Sequence, residues 1–177
     1  MSESIQSAGL RVEAAIPVLN ATPGVLRSLL EPLPPAWLDF QEEADAWSPG
    51  TVLVHLIHSE RMNWIPRARV ALSADEVRKF VPIPPQGKFE GEIAPRLAEF
   101  AELRRENITT LQGLNLKAED YLRTAEHPSL GTVMLGQLLA TWVVHDLNHI
   151  HQIVKTLAKM RTAAVGPWRQ YLGILDV

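Results

Sequence analysis

The stretch Leu135-Gly-Gln-Leu-Leu-Ala-Thr-Trp142-Val-Val-His145-Asp-Leu-Asn-His149-Ile-His-Gln-Ile-Val-Lys-Thr-Leu157 decides the fold of this chain. Leu135, Leu138, Leu139, Trp142, Ile150, Ile153, Val154 and Leu157 recur at three- and four-residue intervals, the period of a helix with one buried face. The pattern predicts a helix from near Gly131 to about Met160. His145 and His149 stand four residues apart within it, so their rings sit one turn above each other on one face. Such a pair either chelates a metal ion or is ordinary helix surface, and the spacing alone does not choose.

Working outward, the rest of the chain repeats the same period, and alternating strand patterns are nearly absent. A first helical region lies within about residues 11 to 31, carrying Val25, Leu26, Leu29 and Leu30. Thr22 before Pro23 reads as a helix restart, and Pro32, Pro34 and Pro35 end the region. A second helix opens at Ser48-Pro49, a cap residue followed by proline, and runs to about Leu72, with a kink or early stop expected at Pro66. Val81 to Gly87 is proline-rich loop. A third helix covers roughly Ile93 to Gln112; Leu97, Phe100, Leu103, Ile108 and Leu111 form its buried side, and Glu99, Glu102, Arg104, Arg105 and Glu106 read as its solvated face. The tail Val165 to Leu172 is expected to pack Trp168 back onto the helices. The fold class is therefore all-α, a four-helix bundle with a long crossover connection between helices two and three, in a single domain over residues 1–177.

Composition narrows the chemistry. The 177 residues are 46% hydrophobic and 21% charged, as expected of a folded globular chain. The net charge of -3 offers no basic surplus for a phosphate backbone, so nucleic acid is not expected as a partner. There is no cysteine, which excludes disulfides, thiolate ligands and a cysteine nucleophile. Any thiol would have to arrive with a substrate. The opening Met1-Ser-Glu-Ser-Ile-Gln lacks a basic patch followed by an apolar core, and no apolar run approaches the roughly 20 residues that span a bilayer. A cytoplasmic protein without membrane contact is expected.

His55, about two turns into the second helix, is the candidate third ligand to join His145 and His149; its alternative is a buried histidine with a structural hydrogen bond. His58, one turn on, ranks second. His151 lies on the far side of its helix, and His127 falls in the turn-like Glu126-His-Pro-Ser-Leu-Gly131. The string His145-Asp-Leu-Asn-His149 is similar to the zinc-protease motif His-Glu-x-x-His, but Asp146 is one methylene shorter than the glutamate base and Lys155 stands where a third ligand would follow.

Two segments carry a family resemblance: Trp47-Ser-Pro-Gly-Thr-Val-Leu-Val-His55-Leu-Ile-His-Ser-Glu60, and Leu135-Gly-Gln-Leu-Leu-Ala-Thr-Trp142 leading into His145-Asp-Leu-Asn-His149-Ile-His-Gln152. With the closing Val165-Gly-Pro-Trp-Arg-Gln-Tyr-Leu172 they resemble the DinB-like (DinB/YfiT-like) superfamily of four-helix-bundle metalloenzymes over nearly the whole chain. The resemblance implies metal ligation by His55, His145 and His149; many relatives have a further histidine where this chain has Asn148. Three neutral imidazoles suit Zn²⁺ or Ni²⁺ and leave a coordination position open. Glu60, Asp146, Asn148 and Gln152 are the nearest polar groups that could orient the rings, although Asp146 lies about 100° around the helix from His145 and could serve a neighbouring helix instead.

The resemblance further implies a small-thiol-dependent S-transferase, in which the metal lowers the pKa of a low-molecular-weight thiol and presents it to a small electrophilic substrate. The alternatives are a metal-dependent hydrolase, and a non-catalytic stress-related protein that binds a metal or small ligand. Long amphipathic helices also allow a homodimer.

Overall fold

The computed structural model describes residues 11–176; the opening segment read for a signal peptide lies outside them. Helix α1 spans Val12–Leu30 and is followed by the short α2, Pro35–Leu38. The second long helix is broken into α3, Pro49–Met62, and α4, Trp64–Leu72. Helix α5 runs over Ile93–Gly113, and α6, the longest at 25 residues, over Leu135–Lys159. Between them the strands β1, Thr124–His127, and β2, Gly131–Met134, form an antiparallel hairpin, and a one-turn α7, Thr162–Val165, follows α6.

Two apolar clusters run along the bundle and fix the helix directions. One gathers Val12 and Leu19 of α1 with Trp64 and Ala68 of α4, Ile108 and Leu111 of α5, and Leu135 and Trp142 of α6. The other gathers Leu26 and Leu30 with Leu53 and Leu56 of α3, Leu97 and Phe100 of α5, and Ile153 and Leu157 of α6. Helices one and four therefore run one way, and helices two and three run the other. Parallel neighbours need a long return, and residues 73–92 supply it as the crossover the sequence predicts. Each fully buried leucine in these layers contributes roughly 1.5–3 kcal/mol.

Local chemistry accounts for the element boundaries. The Ser48 hydroxyl accepts a hydrogen bond from the Thr51 amide at 3.2 Å and Pro49 occupies the first helical position, as predicted for the start of the second helix. The break falls at Asn63, three residues before Pro66. Pro66 lies in the first turn of α4, where its missing N–H costs no helical bond. At the start of α6 the Gln137 side chain accepts from the Met134 amide at 2.9 Å.

Four expectations need correction. Thr22-Pro23 does not restart a helix: α1 is continuous through Pro17 and Pro23. Pro23 removes the hydrogen bond to the Leu19 carbonyl, and the Arg104 guanidinium donates to that carbonyl at 2.9 Å instead. Arg104 is accordingly not on a solvated face but 1% exposed. Gly131–Met134 does not open the last helix; it pairs with Thr124–His127 through a three-residue loop that closes on Gly131 at φ 73°. The alternation in that stretch is too short to register against a helical period. Trp168 is 71% exposed, and Leu175, at 4%, is the tail residue that docks onto the bundle.

Candidate metal centre

His55 on α3 faces His145 and His149 on α6 across the bundle. The Nε2 atoms of His55 and His145 are 3.0 Å apart, those of His149 and His145 3.2 Å, and one nitrogen from each ring lies within 4.8 Å of the other two. The rings are enclosed by indoles: Trp47 lies 4.8 Å from His55 and is stacked at 6.1 Å on His149, and Trp64 meets His145 edge-on at 5.0 Å between centroids. Trp47 immediately precedes the Ser48 cap, so the signal that starts α3 also sets this wall of the site.

The surroundings keep all three rings neutral at neutral pH. His55 is pushed down to about 4, by burial first and then by the neighbouring His149. His145 is pushed down to about 3, again by burial, then by His149, His55 and the more distant Arg104. Burial also lowers His149, with Gln152 and Asp146 opposing the shift. Gln152 Oε1 lies 2.9 Å from His149 Nδ1, which assigns the ring proton to Nδ1 and leaves the Nε2 lone pair facing the other two rings.

This donor set fits a divalent cation. Three neutral imidazoles converge through like atoms, and one shared proton cannot satisfy both short Nε2 contacts of His145. Tetrahedral ligation at about 2.05 Å spaces ligand nitrogens by about 3.3 Å, close to the two short separations. The group can therefore hold a metal ion, and among the described residues it offers three protein ligands rather than four.

Other polar residues near the cluster in sequence have separate roles. The His58 ring N–H donates to the Pro84 carbonyl at 2.8 Å and ties α3 to the crossover loop. His151 is exposed, and His127 lies at the end of β1. Asn148 is exposed and makes no side-chain hydrogen bond among the described residues. Glu60 is 2% exposed; its carboxylate accepts from Arg104 at 2.9 Å, from the Trp142 indole at 3.0 Å and from Asn107 at 3.0 Å, and it engages none of the three histidines.

Sequence reasoning missed the charged layer beneath the site. Arg104 donates to both oxygens of Asp146 at 2.6 and 2.9 Å as well as to Glu60, and the Thr22 hydroxyl donates to Asp146 at 2.7 Å. Asp146 thus serves neighbouring helices, the alternative its angular position left open. Burial raises the Glu60 carboxyl above the ordinary carboxylate range, with Arg104 opposing it. Burial works against the Arg104 charge, but Glu60 and Asp146 outweigh it and the guanidinium is raised. Asp146 lies between the two α6 histidines in sequence, so this layer fixes the rotation of α6 that aims them at His55. The one sequence signal for it was the Leu19 carbonyl that Pro23 leaves free.

The sequence profile of the DinB superfamily matches residues 19–153, more than half of the chain. The chain belongs to the DinB superfamily. This DinB-superfamily chain is also similar to YfiT from Bacillus subtilis, described as a probable metal-dependent hydrolase with an unusual four-helix bundle topology. The two are 21% identical and superpose with a TM-score of 0.69, over 84% of this chain and 87% of YfiT. No curated protein matches the sequence. No helix of the described residues is long and apolar enough to cross a membrane.

Proposed function

We propose that this DinB-superfamily chain is a metal-dependent hydrolase in which His55, His145 and His149 hold one divalent ion, Zn²⁺ or Ni²⁺. The observation that carries the reading is the convergence of three neutral Nε2 atoms with no fourth protein ligand among the described residues, the pattern of a catalytic rather than a structural site. Its likeness to YfiT supports hydrolysis as the reaction. When bound, such an ion supplies Lewis-acid activation of a nucleophile in the open position.

The chain's own residues prepare that position. Gln152 holds the His149 tautomer, Trp47 and Trp64 exclude water from the ring faces, and the Glu60–Arg104–Asp146 layer keeps α6 in register. A small-thiol-dependent S-transferase is the second reading. The family resemblance favours it, and the cysteine-free sequence requires the thiol to be a cosubstrate. A homodimer through the exposed Val144 and Leu147 of α6 is compatible with either and is read out by sedimentation.

The test compares metal-loaded protein on model esters and amides without thiol against consumption of a model electrophile with a small thiol. Hydrolysis that is lost in His145→Ala is the expected result. Thiol-dependent consumption without hydrolysis moves the assignment to the transferase. Neither activity, from protein carrying one metal per chain, contradicts both and leaves a non-catalytic metal-binding role.

A further inference from the structure

Beside the histidine cluster, on the other side of Trp64, lies a cavity of about 100 Å³ walled by α4, α6 and the hairpin. Its polar lining combines donors from Trp64, Arg67 and His127 with the Asn63 side-chain oxygen, which is likewise buried without a partner among the described residues. Trp64 is 2% exposed, and its indole N–H has no partner among the described residues. Arg67, one turn further along α4, makes no ion pair among the described residues; its Nε is buried without a partner and its guanidinium lies 5.0 Å over the Phe80 ring. Leaving a buried indole N–H and a half-buried guanidinium unpaired costs free energy that a bound anion would recover.

The hairpin contributes another donor. Ala125 pairs with Val133 and His127 with Gly131, so Ala125, His127 and Val133 share the inward face of the hairpin. His127 Nδ1 accepts from the Ser129 and Leu130 amides at 3.2 and 3.3 Å, which places its ring proton on Nε2 as a donor. Gln137, whose Oε1 is engaged by the Met134 amide, adds a side-chain N–H₂ that has no partner among the described residues. Among the described residues no acidic side chain lines the cavity.

We propose that this cavity binds the carboxylate of a small molecule, with Arg67, the Trp64 indole N–H and the His127 ring as its donors. The planar guanidinium suits a carboxylate, and the apolar walls from Phe80 and Val133 suit a short carbon stem. A volume of this order accommodates a carboxylate with roughly two or three carbons. Trp64 touches both the cavity and His145, and Thr141 of the lining stands one helical turn before His145. An acid bound here would be anchored next to the metal centre. Its identity as the substrate's acid end rests on the hydrolase reading above; the binding itself does not.

The test follows the Trp64 indole N–H resonance, assigned with Trp64→Phe, while butyrate, butyramide or inorganic phosphate is added to the full chain. Butyrate should shift it saturably and butyramide should not. Arg67→Gln should weaken butyrate binding by roughly tenfold or more, with Arg67→Lys intermediate, at unchanged metal content. Equal responses to acid and amide, indifference to Arg67→Gln, or tighter binding of phosphate than of butyrate would overturn the proposal. A kinetic arm compares esters with and without a free carboxylate. Butyrate binding without any metal-dependent turnover leaves the carboxylate site standing and removes the hydrolase reading. Turnover that ignores the carboxylate, with no butyrate shift, does the reverse.

Discussion

Replacing Arg104 with methionine should destabilise the protein by about 3–5 kcal/mol, because it leaves buried carboxylates without their counter-charge. The guanidinium makes four hydrogen bonds, to Glu60, to both oxygens of Asp146 and to the Leu19 carbonyl, and both ion pairs join side chains that are 1% exposed. Glu60 would keep the Trp142 and Asn107 donors, but among the described residues Asp146 would keep only the Thr22 hydroxyl. For a chain of this size the loss corresponds to a fall in Tm on the order of 10 °C. Urea unfolding followed by circular dichroism measures it. Two further results identify the cause. In Arg104→Met/Asp146→Leu the second change should recover much of the loss, since the Thr22 hydroxyl can turn to the Val18 carbonyl at 3.1 Å. The deficit of Arg104→Met should also shrink as pH falls, because Glu60, already raised by burial, takes up a proton and loses its need for a counter-charge. A single-variant loss under about 1 kcal/mol, or strictly additive losses in the double variant, would refute the assignment of this layer as a desolvated ion-pair network.

Three further outcomes are expected. Gln152→Ala should weaken metal affinity by roughly 10- to 100-fold with little change in fold, because the ring it orients keeps its place but not its tautomer; competition with a chromophoric chelator measures this. Gly50→Ala should loosen the crossover loop, since an added Cβ would overlap the Phe89 ring; the expected cost is about 1–3 kcal/mol, with faster proteolysis within residues 81–92. Metal-free protein should lose stability in acid. The depressed His55 and His145 contribute stability that is complete above their ordinary value of 6.5 and is lost as pH falls towards about 4 and about 3, where the folded state also takes up protons; an unfolding midpoint independent of pH between 7 and 4 would contradict this.

The legibility of this molecule followed the length scale of each signal. The period of α6, the Ser48-Pro49 cap and the proline-rich return gave the bundle, its crossover and the helices that carry the histidines. That His145 and His149 share one face was readable because a helix converts spacing into facing, whereas His55, on another helix, was a candidate third ligand that the family resemblance implied. The hairpin was not, because four-residue strands are too short to show an alternation of their own and they pair with each other across a three-residue loop. Arg104 was also hidden. In sequence it sits among Glu102, Arg105 and Glu106 as one more charge on a polar stripe, and only the packing of α1, α3 and α6 around it shows that it is buried. The same packing diverts Glu60 and Asp146, both near the histidines in sequence, away from orienting the rings.

Metal content after gentle purification, in the native chain and in His149→Ala, tests the central claim most directly. The geometry predicts about one divalent ion per chain in the native protein and a loss of most of it in the variant, with the helical signal unchanged. Stoichiometric metal that survives His149→Ala undiminished would contradict the assignment of these three histidines as its ligands.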